Sequence, residues 1–443
     1  MNQNIITSQR ILSKETTISN NTWLTGINNN DLIIGPSGGG KTRGYVIPNI
    51  IHTGDNLIIA DTKGNLYNHY KDYLTKMGYK VMNLDLIHPS SSPMGFNPLS
   101  YVRTTKCDNF KDSGNRYNED DISRIANAIC PVQSRVDPVW DQAAQMYLET
   151  LILYTLNCLP DKQHNLCDIF YLLSNMKDEE IATIFDEECM LHPTSSFAIK
   201  YNTIKSTLAA DKTVASVIFV LSNHLNKVAN QSLKHLYDSN HQIDFNDFVN
   251  GKTILFLNVS DNDRSKDGLV NLFYTNAFQY LIDAADQRPD SKLPIPVRFI
   301  MDDFCTNAFI PDFDNLISVI RSREIYVSLI VQSISQLEGR YDPYRSQTII
   351  NNCDHLLYLG SNDPKTAEYF AKKVNRLPSS IECLPLEKLY IFARGNQPVM
   401  DNIYNINDDD TYCKIQEALK SDILSSADSN ANNDTSGDTS TIM

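Results

Sequence analysis

The chain has 443 residues, 42% hydrophobic and 21% charged, an ordinary globular composition with room for two or three domains, or for one large α/β core carrying an insertion. Its net charge of −14 argues against a surface that is basic throughout and coats nucleic acid, although positive charge confined to a channel stays compatible with it. No run of about 18 apolar residues occurs, Met1-Asn2-Gln3-Asn4 opens no signal-peptide core, and nine cysteines stand singly without C-x-x-C or Cys/His spacing; the expectation is a cytoplasmic chain with reduced thiols and no structural metal.

Residues 1–30 are rich in Asn, Thr and Ser and read as a lead-in, with Trp23-Leu24 expected to pack on the core. The apolar run Leu32-Ile33-Ile34 then meets Gly35-Pro36-Ser37-Gly38-Gly39-Gly40-Lys41-Thr42, with Arg43 directly behind. A strand, a glycine-rich turn and a helical pattern in that order make a phosphate-binding loop. Glycines reach positive φ and turn successive N–H groups inward, and the helix start adds the positive end of its dipole. Residues 35–43 are therefore assigned to nucleotide binding, with Lys41 on the β- and γ-phosphates and the Thr42 hydroxyl on Mg²⁺. The competing interpretation, a glycine-rich turn that happens to precede Lys-Thr, is disfavoured by the strand before and the helix after. A second triplet, Gly251-Lys252-Thr253, has Asn246 where the partner glycine belongs and opens a strand, so it reads as an ordinary turn.

From the loop onward the pattern alternates: a helix from Lys41 to about Ile51, kinked or ended early by Pro48, a strand 56–61, a helix 66–77 and a strand 80–85. Asp61-Thr62-Lys63-Gly64-Asn65 follows the second strand, at the carboxyl edge where open α/β sheets bind ligands; an Asx cap on the next helix explains it equally well. After Pro98 the rhythm changes. Helical patterns recur at 120–128, 140–156, 166–174, 178–186, 196–209 and 214–225 with almost no strand between them, which predicts an all-α domain over 108–244 inserted into a nucleotide-binding domain of 31–107 and 245–420. The sheet resumes with strands 253–259, 297–301, 326–332 and 355–359, helices 268–285, 313–321 and 366–374, and a hairpin of 389–393 with 399–402. Residues 421–443 are polar and acidic and are expected to be disordered.

A phosphate loop needs a partner acid. The apolar strand Val297-Arg298-Phe299-Ile300-Met301 delivers Asp302 to the sheet edge to hold the Mg²⁺, with Asp303 placed to orient and deprotonate the attacking water. A strand ending in a helix-capping acid is the plain alternative. Arg321 and Arg323 stand near a helix end, either as cations on its C-terminus or, for Arg321, as a finger reaching a neighbour's γ-phosphate. Gln332, at the end of the next strand, is either a phosphate sensor or an ordinary edge amide.

Together with Asn97-Pro98-Leu99, Tyr147–Tyr154, Ile310-Pro311-Asp312-Phe313, Gln332–Leu337 and Asn352-Cys353-Asp354, these motifs resemble those of the type IV secretion coupling proteins, the TraG-like conjugative DNA-transfer ATPases. The resemblance covers about residues 30 to 395 in the right order. It implies a RecA-like core with an all-α domain, a homo-hexamer when active, ATP and Mg²⁺ as ligands, and transport of single-stranded DNA with its attached relaxase toward a secretion channel at the inner face of the membrane. The chain departs from the family at two points: Asp302-Asp303 stands where Asp-Glu is usual, and the 34 residues before Gly35 hold no membrane anchor. Two other functions stay open at this stage, a weakly active, anchorless nucleotide-binding docking module and a related cytosolic DNA-packaging ATPase.

Overall fold

The computed structural model describes residues 8–104, 117–132, 138–175, 179–207 and 211–421. The expected disordered tail therefore falls, from residue 422 on, outside the described residues.

Nine strands form one sheet. After a small hairpin of β1 (Gln9–Ile11) and β2 (Thr17–Ser19), the sheet takes β3 (Asp31–Ile34), β4 (Asn56–Asp61), β5 (Lys80–Asp85), β6 (Thr253–Asn258), β7 (Val297–Met301), β8 (Ile325–Val331), β9 (His355–Tyr358), β10 (Lys388–Ala393) and β11 (Val399–Asn402). Their order is β11-β10-β9-β3-β8-β7-β4-β6-β5. The seven strands from β9 to β5 are parallel, and only the β10–β11 hairpin runs antiparallel at one edge. Every residue of β3, β4, β6, β7 and β8 is buried, as expected of a parallel sheet covered on both faces. Successive side chains on β3 serve opposite cores: Leu32 and Ile34 face the core shared with the helices of 119–250, while Ile33 faces the helix that follows the phosphate loop.

The helices expected after Pro98 are present, as Glu119–Ile129, Val139–Cys158, Leu166–Asn175, Glu179–Leu191, Ser196–Thr207 and Asp211–Asn226, all between β5 and β6. Val139–Cys158 is their hub, and Glu119–Ile129 packs on Asp267–Asp286, so one continuous core runs from the sheet into these helices. Among the described residues, no helix is long and apolar enough to cross a membrane.

Two expectations need correction, and one helix was not expected. Trp23 and Leu24 do not pack on the core: they sit in a one-turn helix capped by Asn21 and Gly26 and are 78% and 70% exposed, with the Lys292 ammonium 4.3 Å from the indole centroid. Pro48 does not stop its helix, which continues to Ile51. The turn before it, Thr42–Val46, is a π-helix in which the Ile47 N–H reaches back to the Thr42 carbonyl, and this wider winding accommodates a residue with no N–H to donate. Between β8 and β9, where the sequence pattern predicts nothing, runs a helix, Ile334–Asn351, kinked at Asp342 (φ 64°) ahead of Pro343.

The lead-in is also more than a connection. Arg10, on β1, is fully buried and forms an ion pair of 2.7 Å with Asp31, the first residue of β3. Asp31 further accepts from Tyr45 and faces His355 and Arg298. Burial alone would raise the Asp31 carboxyl, but the charges of Arg10, Arg298 and His355 outweigh it and hold it well below the usual carboxylate range. The hairpin loop is tied down separately, by Ser13, Thr16 and the Glu15 amide on Asp401 of β11.

Candidate functional site

The phosphate loop leaves β3 with the Gly35 amide bonded to the Val331 carbonyl at the end of β8 (3.2 Å), then turns through a Gly39 N–H to Pro36 carbonyl bond of 3.0 Å. Gly38 and Gly40 both take positive φ, +74° and +84°, which is the conformation that turns backbone N–H groups into the concavity. The Lys41 ammonium donates to the Gly35 and Pro36 carbonyls at 2.8 and 2.9 Å. Burial lowers its pKa, and the nearby Asp303 and Asp302 charges partly restore it.

The opposite wall is acidic. Thr42 Oγ1 donates to Asp302 Oδ2 at 3.1 Å, so the two groups expected on Mg²⁺ already touch across the cleft. Burial and the adjacent Asp303 push the Asp302 carboxyl up to about 6. A divalent cation between these oxygens would reverse that shift by favouring the ionised form. Hydroxyl and carboxylate oxygens are the hard donors that Mg²⁺ takes, so this pair fits the metal. Asp303 follows in a left-handed conformation (φ 50°, ψ 42°), its N–H donating to Asp302 Oδ1 at 3.0 Å.

β8 lies between β3 and β7, so Gln332, just past its end, stands between the phosphate loop and the two aspartates; its N–H is held by Gln336 Oε1 at 3.0 Å. A cleft of 420 Å³ brings these groups together, with Ser37 through Arg43 on one side and Asp302, Asp303 and Gln332 on the other. Thr62, Lys63 and Asp261, from the ends of β4 and β6, also line it. The Asp61–Asn65 segment thus answers to both of its interpretations: Asp61 caps the helix Leu66–Lys76 through the Leu66 and Tyr67 amides, while Thr62 and Lys63 face the cleft. Arg43 lines the cleft and donates to Asn407 Oδ1 at 2.7 Å, which ties it to the segment after β11.

Arg321 does not join this cleft. It lies in a short 3₁₀ turn, Arg321–Arg323, before β8, whereas the cleft lies beyond that strand's far end, about 20 Å away at the rise of an extended chain. Its guanidinium has no hydrogen bond or ion pair among the described residues, whereas Arg323 forks onto Asp286 and donates to the Val319 carbonyl, each at 2.8 Å. The cation on the helix C-terminus is Arg323. The Gly251-Lys252-Thr253 triplet begins β6, at the opposite sheet edge from the cleft. Asp261 escaped sequence reading, although its position just past a parallel strand was a usable signal; the buried Arg10–Asp31 pair carried none.

A model of the family described as type IV secretory system conjugative DNA transfer matches residues 1–376. Protein VirD4 of Rhizobium rhizogenes is 20% identical over 360 residues, and Protein VirD4 of Agrobacterium fabrum 20% over 363; each alignment takes in 77% of this chain and 49% of the relative. The chain therefore spans about half the length of the curated relatives it matches. Among solved structures, it is similar to the plasmid coupling protein TrwB in complex with ADP and Mg²⁺, with a TM-score of 0.61 at 17% identity over 85% of each chain. It is also similar to VirB4 of Thermoanaerobacter pseudethanolicus, with a TM-score of 0.56 at 14% identity over 91% of this chain and 97% of that one. At such identities the likeness concerns the fold: an α/β, RecA-like P-loop NTPase core with a mostly parallel sheet.

Proposed function

The chain belongs to the type IV secretory system conjugative DNA transfer family, and from that premise we propose that it is an ATP-driven coupling protein that moves single-stranded DNA, with its attached relaxase, toward a type IV secretion channel. The observation that carries this reading is the cleft in which a complete phosphate loop faces Asp302, Asp303 and Gln332. In it, the loop amides and Lys41 bind the β- and γ-phosphates, and Thr42 and Asp302 hold Mg²⁺, which when bound neutralises charge on the phosphate oxygens. Asp303 takes the proton of the attacking water, and Gln332 reads the terminal phosphate from between the two walls.

Arg321 lies too far from its own cleft to serve it, and its guanidinium has no hydrogen bond or ion pair among the described residues. In a ring it supplies the neighbour's site, and a homo-hexamer is the assembly we infer. Residues 108–244 act in this scheme as a docking domain for protein cargo, and contact with the inner face of the membrane runs through the channel's components.

The test is ATP turnover by the purified chain with and without single-stranded DNA, followed across protein concentration and read beside its native mass. Turnover that rises with DNA and with assembly supports the motor. Nucleotide binding with no turnover under any of these conditions would favour a docking module.

A further inference from the structure

Lys63 has no role in the scheme above, yet it enters the same cleft. Its backbone is fixed by a tight turn: Asp61 accepts from the Lys63 amide at 3.3 Å and from the Leu66 amide at 2.6 Å, and Gly64 closes the turn at a φ of +67°. The side chain is exposed and makes no hydrogen bond or ion pair among the described residues. The other two cations of the cleft are held, Lys41 by two loop carbonyls and Arg43 by Asn407.

Sheet order says which part of a nucleotide Lys63 meets. Strands lie about 4.8 Å apart, so along β3-β8-β7-β4 the end of β7 stands about 10 Å and the end of β4 about 14 Å from the end of β3, where the phosphate loop begins. A phosphate chain cradled by that loop extends across β8 toward Asp302 and Asp303, and its terminal group arrives on the side from which Lys63 reaches on a flexible four-carbon stem. The loop amides and Lys41 hold the β-phosphate and the near side of the γ-phosphate.

We propose that Lys63 is a second cation on the terminal phosphate, opposite Lys41, binding the far side of the γ-phosphoryl group of ATP and, after hydrolysis, the departing phosphate. The inference rests on the reading of the cleft as a nucleotide site and assigns one of its residues to the triphosphate alone. An ammonium paired with three phosphate oxygens adds charge-assisted hydrogen bonds that ADP cannot offer, which is a structural basis for distinguishing ATP from its product.

The experiment is equilibrium binding of ADP and of the non-hydrolysable analogue ADPNP, each with Mg²⁺, to the full chain and to Lys63→Ala, Lys63→Arg and Lys41→Ala. Lys63→Ala should weaken ADPNP roughly 10- to 100-fold, the range for a hydrogen bond to a charged group, and leave ADP unchanged. Lys63→Arg should recover part of the loss, and Lys41→Ala should weaken both nucleotides. Equal affinities of wild type and Lys63→Ala for ADPNP, or a parallel loss for ADP, would overturn the assignment. Absence of binding of either nucleotide to wild type, or indifference to Lys41→Ala, would instead overturn the nucleotide site itself.

Discussion

The Lys41 ammonium donates to two carbonyls of its own loop, bonds it must exchange for phosphate oxygens when a nucleotide enters. It is pre-positioned to do so, and Lys41→Ala should abolish turnover; a variant hydrolysing ATP at the wild-type rate would remove the loop from the mechanism. Asp303 presents a different problem, because its carboxylate is one methylene shorter than the glutamate usual in the family. If it works as the base despite that reach, Asp303→Glu should keep or raise turnover. Asp303→Asn should lower turnover by roughly 10²- to 10⁴-fold, the ordinary worth of general-base catalysis, with nucleotide binding spared. Equal rates in all three forms would exclude the role. Most of these residues were legible in sequence because a phosphate loop is local chemistry: seven residues lining the cleft, Ser37 through Arg43, are consecutive, and Asp302-Asp303 follow an unmistakable apolar strand. Lys63 and Asp261 follow parallel strands, a signal of the ligand-binding edge, but that they stand beside the aspartates was not legible, since only the order β7-β4-β6 brings those strand ends together.

At the scale of elements, the parallel strands announced themselves through short apolar runs, while the helix Ile334–Asn351 stayed hidden behind Gly339 and Pro343, which signal a break where the chain only kinks. The β1–β2 hairpin was hidden for another reason: it is held by a buried charge pair, not by an apolar pattern. Arg10 and Arg298 both lie against Asp31 out of contact with water, so removing the carboxylate strands two guanidinium groups. Asp31→Asn should therefore destabilise the fold by about 3–5 kcal/mol in denaturant titration, the cost of breaking a buried pair. The pH dependence has a definite sign. A carboxyl lowered below its ordinary 3.8 contributes stability that is present above that value and is lost as pH falls toward the depressed folded value. Wild type should thus lose stability more steeply than Asp31→Asn below pH 3.8; parallel acid profiles would show that the pair does not couple folding to this carboxylate.

At the scale of the whole molecule, a cleft at the carboxyl edge and Arg321 at the amino edge of the same sheet cannot meet within one chain. The sequence placed Arg321 near a helix end but could not say on which side of the sheet it lies; only β8, running away from it toward Gln332, settles that. A neighbouring copy that delivers Arg321 would complete the site, and fingers of this kind are worth on the order of 10³–10⁵ in rate. The motor we propose stands or falls on this division of the site between copies. The most direct measurement is ATP turnover in a mixture of Arg321→Ala chains, which keep the phosphate loop, with an excess of Lys41→Ala chains, which keep the finger. The account predicts that each variant alone is inactive and that the mixture regains turnover, more so on single-stranded DNA. A mixture no more active than its separate components, with both variants assembling normally by native mass, would contradict it.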